Sequence, residues 1–438
     1  MKTFLRPWLV AGSVVALGAC TVGPDYVRPG VATPAAFKEA QAAATATPLP
    51  AGTWWAIYHD PALDALVAQV AVNNPSLAAA AARVREADAL VKEAQGAAYP
   101  EVGLGSLKSG RRNENDFGVG VSWDLDLWGR IRRDVEAHRA LAQASSADLA
   151  GATLSMQARV VQSYFALRAE DAALPLLEHA AEAGLKWHEM AQNQYAQGQV
   201  SRANVADALV RASNAQLQLA DARSARAKLE HAIAVMLGQP PESFTIAPAP
   251  FDTAVPEIPA GVPATLLERR PDVVASERRM AAASAGRGVA KAQTLPSISL
   301  AAGIGVRRGP TGTVDAKAPL FAGGRLEGNE QHANAAYDEA VANYRQTVLD
   351  AYREVEDGLV DTSTLASAAE LQAKAAAAAA ESDRVVQNQY REGVADYTTV
   401  VDAANAAVTA GRGDFELRRR RLGASVDLIL ALGGGWQP

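Results

Sequence analysis

Cysteine is all but missing from this chain: Cys20 stands alone among 438 residues, so no internal disulfide and no cysteine-based metal site can form. Aromatic residues are scarce, at 6% of the sequence, although hydrophobic residues of all kinds reach 49%. Much of that apolar content is alanine, which cannot fill a bulky core but favours helix and lets helices approach closely. An excess of positive charge is missing too. The formal net charge of −6 leaves no basic footprint for neutralising phosphates, so nucleic acid is not an expected partner. Beyond residue 19 no apolar run reaches the roughly 18 residues that a transmembrane helix needs. The histidines His59, His138, His179, His188, His231 and His332 show no close ligand spacing. Gly103, Gly105, Gly303 and Gly305 lie in strand patterns and do not open a helix as a phosphate loop must. No nucleophile, base and orienting group can be named together, so the sequence predicts no catalytic residue, no metal site and no cofactor.

The N-terminus carries an address. Lys2 and Arg6 precede an apolar stretch from Trp8 to Ala19 that is too short to span a bilayer and ends in small residues, which reads as a signal peptide over residues 1–19. Leu17-Gly18-Ala19-Cys20 resembles the bacterial lipobox, in which cleavage leaves a lipid-bearing, palmitoylated cysteine at the new N-terminus. The alternative is an ordinary signal peptide followed by an incidental cysteine. Several acyl chains, at about 0.8 kcal/mol per buried methylene, would make the attachment effectively permanent. Residues 20–60 then form an extended segment, and its stretch from Thr33 to Gly52 is expected to hang along the outside of the folded body.

The chain repeats itself with an offset of about 195 residues. Asn74-Pro75 followed by Tyr99-Pro100 recurs as Arg270-Pro271 followed by Leu295-Pro296, and Gly129-Arg130 recurs as Gly324-Arg325. Asn193-Gln194-Tyr195-Ala196-Gln197-Gly198 recurs as Asn388-Gln389-Tyr390-Arg391-Glu392-Gly393, and Leu237-Gly238 as Leu432-Gly433. Chance likeness between alanine-rich helices would not keep Pro, Gly and Tyr in one register over such a span. The repeats cover residues 61–238 and 264–438, separated by a proline-rich linker over 239–263 that can form neither helix nor strand ladder.

Each repeat changes period twice. Pro75 to Ala98 reads as a helix, with Leu77, Val84, Leu90 and Val91 near helical spacing. The period then becomes two: Phe117, Val119, Val121, Trp123 and Leu125 alternate with Gly118, Gly120, Ser122 and Asp124. Val102 and Leu104 belong to the partner strand across a polar loop from Gly110 to Asp116. The second copy has Ile298, Leu300, Ala302, Ile304 and Val306, a turn at Gly309-Pro310, then Val314 to Leu320. Hairpins are thus expected at about 100–127 and 296–321. Long helices follow, Ile131 to Gln197 and Leu326 to Glu392, each roughly 100 Å if unbroken. Neither is apolar all round, so they must pack side by side as a coiled coil or helical barrel. Pro175 predicts a bend or break in the first of them. Turns at 198–202 and 393–397 send a returning helix back in each repeat.

A hairpin with one apolar face suits a soluble sandwich or an outer-membrane barrel. In lipid, four strands with open edges would leave backbone groups unpaired, so closure must come from other copies. Two copies give eight strands and a filled interior, whereas three give twelve and a lumen. A conduit therefore predicts a homotrimer.

Five motifs in order resemble the outer-membrane efflux lipoproteins of the TolC superfamily, NodT-like branch, over essentially the whole chain. They are Cys20-Thr21-Val22-Gly23-Pro24-Asp25-Tyr26; Trp54-Trp55 with Asp60-Pro61; Trp123-Asp124-Leu125-Asp126-Leu127-Trp128-Gly129-Arg130; Pro319-Leu320-Phe321 with Gly324-Arg325; and Leu432-Gly433-Gly434-Gly435-Trp436. The resemblance implies a mainly α protein with a trimeric 12-stranded membrane β-barrel joined to a periplasmic α-helical barrel. It also implies a duct that docks to a periplasmic adaptor and an inner-membrane pump of the resistance-nodulation-division class. It places a periplasmic gate at Asp402, with Thr398 where relatives carry a bulky apolar residue and Asn405 where some carry an arginine. In the first repeat Asn204 stands at the acidic gate position, with Asp207 the nearest acid. The turns Gly198-Gln199-Val200-Ser201 and Gly393-Val394-Ala395 are implied contacts for the adaptor tip, though they would serve equally as plain helix connections. Arg418 to Arg421 reads as a solvated helix face. A non-conducting envelope lipoprotein with a periplasmic coiled coil remains the alternative, but a spacer has no need of hairpins with alternating faces.

Overall fold

The computed structural model describes residues 21–39, 52–108, 115–258, 269–306 and 310–436; Cys20, the signal segment and both hairpin loops lie outside them. A 3-10 turn at Trp54–Tyr58 leads into α1 (Pro61–Asn73) and α2 (Pro75–Gly96). Each helix has proline at its first position, where the missing N–H costs nothing, and each is capped by the residue before it. Asp60 accepts from the amides of Ala62 and Leu63, and Asn74 from those of Ser76 and Leu77. Strands β1 (Glu101–Lys108) and β2 (Asn115–Leu125) follow, then α3 (Arg130–Ala196) and α4 (Arg202–Met236). The second series is α5 (Pro271–Ala292), β3 (Ser297–Gly305), β4 (Pro310–Lys317), α6 (Arg325–Arg391) and α7 (Tyr397–Ala431).

The duplication is literal. Helices α3 and α6 are both 67 residues long and α4 and α7 both 35, each pair starting 195 positions apart. The two hairpins lie side by side in one antiparallel sheet of order β1-β2-β3-β4. Its register aligns Leu104 with Val119 and Val119 with Ile304, and likewise Trp123 with Leu300 and Leu300 with Val314. These share one face. The other face aligns Gly103, Gly120, Gly303 and Thr311 in one row across all four strands. β4 ends at Lys317, short of the expected Leu320, because Pro319 has no N–H to give a ladder. Leu320 and Phe321 are exposed instead.

The chain divides into two compact units, Met1–Thr33 with Ala79–Ala150 and Pro271–Asp350, and Pro34–Ala78 with Gly151–Arg270 and Ala351–Pro438. In the first, the sheet is accompanied by a strap of extended chain. The Val22 amide donates to the Trp128 carbonyl at 3.0 Å, and Asp25 receives Arg133 at 2.6 Å. Gly23, at φ 97°, passes so close to Gly288 that a Cβ would sit 2.6 Å from its Cα. Tyr26 donates to the buried Glu277, and Arg28 to the Tyr344 hydroxyl.

The second unit holds the main core, in which Trp54, Tyr58, Leu63, Val67, Tyr164, Phe165, Leu167, Ile233, Leu237, Leu422 and Ile429 cluster. Aromatic rings line it, with Tyr58 edge-on to Phe165 at 5.0 Å. Burial, then a hydrogen bond to Asp60, pushes the Tyr164 hydroxyl up to about 12.

The linker is tied to three helices. Arg168 of α3 donates to Ala247 O at 2.8 Å, Arg226 of α4 to Ile246 O at 2.7 Å, and Arg418 of α7 to Phe251 O at 2.7 Å. Asp171, with its side chain 1% exposed, accepts from both Arg168 and Arg226, while Glu230 accepts the Ile246 amide. Arg418 thus leaves the solvated run in which the sequence grouped it, and Arg419 pairs with Glu416 at 2.5 Å.

The structure refines two expectations. Of the bend or break expected at Pro175 there is no break, and the first long helix continues through it. One lost hydrogen bond is a local cost, and the burial of Ala173 and Leu177 on either side holds the helix together. Of the stretch from Thr33 to Gly52 expected to hang outside, residues 40–51 lie outside the described residues, and the described start is anchored: Phe37 is buried with Val355, Leu428 and Ala431, and Glu356 accepts the amides of Lys38 and Glu39. Asp171→Asn is expected to lower stability by about 3 kcal/mol or more, because the buried Arg168 and the largely covered Arg226 lose their shared charge partner. Thermal melting, with accelerated proteolysis in the linker, checks it.

Candidate functional site

The two inter-helix turns share one construction. Gly198 at φ 77° and Gly393 at φ 74° take the left-handed conformation that ends α3 and α6. In each, the glycine amide bonds back three residues, to Tyr195 O and Tyr390 O, and the next amide bonds back five, to Gln194 O and Gln389 O. The orphan carbonyls of the ending helix are thereby satisfied. Ser201 then caps α4 by accepting from the Asn204 amide and bonding its side chain. Asp396 caps α7, accepting from the Thr399 amide at 2.8 Å and from the hydroxyls of Thr399 and Thr398 at 2.7 and 2.9 Å. The bonds from Thr399 and Thr398 hold the Asp396 carboxyl below its usual range. The turn residues themselves are open: Gly198, Gln199, Ser201, Gly393 and Val394 are exposed, and Val200 and Ala395 half-buried.

Of the gate candidates, two meet. Asp207 and Asp402 occupy equivalent positions of the two repeats, 195 apart, and Arg211 holds both. Its guanidinium lies 2.8 Å from Asp207 and 3.3 Å from Asp402, so one arginine of α4 bridges to α7. Thr398 and Asn204 are used in the helix caps, and Asn405 is exposed beyond the bridge. Close by, Trp187 of α3 sits between two tyrosines of the second repeat. Its ring centroid is 4.9 Å from Tyr390 at 78° and 5.5 Å from Tyr397 at 60°. Burial first, then the Asp207 charge, raises the Tyr397 hydroxyl above its ordinary value.

Sequence reading missed Arg211 and Trp187. It sought the partner of Asp402 on the same helix, at Asn405. The signal for Arg211 was there in the Asp207-Arg211 spacing of four, acid first, which favours an ion pair on one helix face. Trp187 has no local signal, since its partners lie about 200 residues away. Among the described residues no group of three or more His, Cys, Asp or Glu side chains is arranged to hold a metal.

A protomer built from two repeats, each with an apolar-faced hairpin and a pair of long helices joined by a capped turn, defines a subunit of an outer-membrane channel. The chain belongs to the outer membrane efflux protein family, whose model matches residues 66–239 and 262–434. It is 31% identical to the pyoverdine export outer membrane protein OpmQ of Pseudomonas putida, over 97% of this chain and 96% of that one. It is 26% identical to the cation efflux system protein CusC of Escherichia coli, over 99% of both. Its fold matches that of the outer-membrane channel OprN with a TM-score of 0.84 and 29% identity, covering 96% of this chain and 100% of that chain. The protein is accordingly an outer-membrane efflux channel component.

The Arg211–Asp402 pair is half exposed, with side chains at 33% and 71%, so screening limits its strength. A double-mutant cycle on Arg211→Ala and Asp402→Ala is expected to give a coupling below about 1 kcal/mol that shrinks further in high salt.

Proposed function

We propose that three copies close their sheets into one 12-stranded barrel and pack their long helices into a periplasmic duct, through which small molecules leave the cell. The observation that carries this reading is the sheet itself. One face is apolar, and β1 and β4 each have one neighbour and one open edge. An open edge is too costly in hydrocarbon, and three sheets joined β4 to β1 remove all edges while leaving a lumen lined by Gly, Ser, Thr and Asp. The duct receives cargo from a periplasmic adaptor and an inner-membrane pump of the resistance-nodulation-division class. The exposed turns at Gly198–Ser201 and Gly393–Ala395 are the surfaces that meet the adaptor. The channel performs no catalysis of its own.

The gate in this reading is the ring of Asp207, Arg211 and Asp402 contributed by three chains, with Thr398, Asn204 and Asn405 around it. Three copies carry six carboxylates against three guanidiniums, a negative excess that favours cations. Residues 1–19 are removed as a signal peptide, and Cys20 carries acyl chains at the head of the strap that runs to Phe37.

Reconstituted protein is expected to run as a trimer by mass in detergent and to conduct in planar bilayers. Asp402→Ala should raise single-channel conductance and reduce cation preference. A monomer as the only folded species, or a trimer that conducts no ions, would remove the duct reading. Cys20→Ser is expected to abolish incorporation of labelled palmitate and lower recovery in the outer membrane; unchanged labelling would count against the anchor.

A further inference from the structure

We propose that the cavity where the sheet meets the long helices holds the headgroup phosphate of an anionic phospholipid, one per protomer, drawn from the periplasmic leaflet. The inference rests on the barrel reading above, which sets the helix-bearing end of the sheet at that leaflet.

The cavity lies wholly within the first unit and encloses about 600 Å³, a size that suits a small polar ligand. Three connections meet there: β2 to α3, α5 to β3, and β4 to α6. Its walls are of two kinds. Leu125, Trp128, Ile131, Leu295, Ile298 and Leu326 supply apolar surface. Arg130 and Arg325, the equivalent first residues of α3 and α6, bring two guanidiniums, and neither side chain has a partner among the described residues. Of the other charges lining the cavity, Asp126 is bound to Arg132 at 3.2 Å and Lys317 to Asp315 at 3.3 Å. Two free guanidiniums therefore stand against one carboxylate, Asp124. Planar guanidiniums match a phosphate, and the apolar wall beside them matches the chains that a lipid phosphate carries and a free anion does not.

The first repeat shows what the second lacks. Asp126 accepts from the amides of Ile131 and Arg132 at 2.9 and 3.0 Å, so a carboxylate of the chain itself covers the start of α3. The equivalent position, 195 residues on, is Phe321. Among the described residues no carboxylate covers the corresponding amides of Leu326 and Glu327, and the Glu327 side chain accepts from Gln331 at 3.3 Å instead. The lipid phosphate supplies to the second repeat the negative charge that Asp126 supplies to the first. Next to the cavity, Leu320 and Phe321 are 97% and 92% exposed, two adjacent large apolar side chains that acyl chains would cover.

The test counts lipid retained by the detergent-solubilised protein in native mass spectrometry, with phosphatidylglycerol or phosphatidylcholine added. Wild type is expected to keep one phosphatidylglycerol per chain and to hold phosphatidylcholine about tenfold less well. Arg130→Gln and Arg325→Gln should each lower phosphatidylglycerol retention by about tenfold. Phe321→Asp, which installs the carboxylate of the first repeat, should abolish it, while Phe321→Asn keeps part of it. Equal retention of the two lipids, or unchanged retention in both arginine variants, overturns the proposal. So does displacement of the lipid by millimolar inorganic phosphate, which would make this a site for free anions. Mass and conductance are recorded on the same preparations. A conducting trimer with no preference for phosphatidylglycerol removes this proposal alone, whereas a protein that neither trimerises nor conducts removes the barrel reading and this proposal with it.

Discussion

Everything else in this protein follows from an unsatisfied sheet. Four strands present an apolar face to one side and a row of small and polar residues to the other, and their two outer strands each have backbone donors and acceptors left over. Water can satisfy such edges; hydrocarbon cannot. A membrane sheet of this size is therefore incomplete as a protomer, and the need for edge partners precedes any consideration of what the channel carries. In the proposed trimer, closing the sheets around an axis brings the helices that leave them around the same axis. The long repeat helices need then bury only one flank each against neighbours, which is what an alanine-rich, weakly amphipathic sequence can offer.

Such helices pack closely but hold weakly, because alanine removes little apolar area from water. The second unit compensates by gathering bulky residues into one core. Trp54, Tyr58, Tyr164 and Phe165 lie in its core, and the linker between repeats is bound over α3, α4 and α7 by three arginines. The buried pairing of Arg168, Arg226, Asp171 and Glu230 balances its own charge, so each ion is taken out of water with a partner in place. Stability is therefore local to this belt, and the turns are left lightly held by a half-exposed ion pair and one aromatic wedge.

The duplication supplies two copies of each structural device but not of each contact. Both turns end with a left-handed glycine and restart with a side-chain cap, because any helix reversal needs those groups. Arg211 and Trp187 are under no such local requirement. They occur once, with Ala406 and Ser382 at the equivalent positions of the second repeat, so the two repeats share a backbone plan but not their side-chain bonds.

Period and punctuation were enough to read the architecture from the sequence. The alternation of Phe117 to Leu125, the paired Gly198 and Gly393, and the recurrence of Gly129-Arg130 as Gly324-Arg325 report local backbone demands, and these depend on neighbours a few residues away. The sequence also identified Asp402 and Asp207 as acids near the turns. Tertiary structure alone decided what they bond to, since Arg211 lies 191 residues before Asp402 and the tyrosines that flank Trp187 are about 200 residues beyond it. It alone decided that Pro175 is carried within a continuous helix, that Phe37 is buried, and that Arg418 leaves its charged run to hold the linker. The physical reason is common to all of these. Whether a proline breaks a helix or an arginine stays solvated depends on the energy of packing against distant segments, and that energy has no period in the sequence.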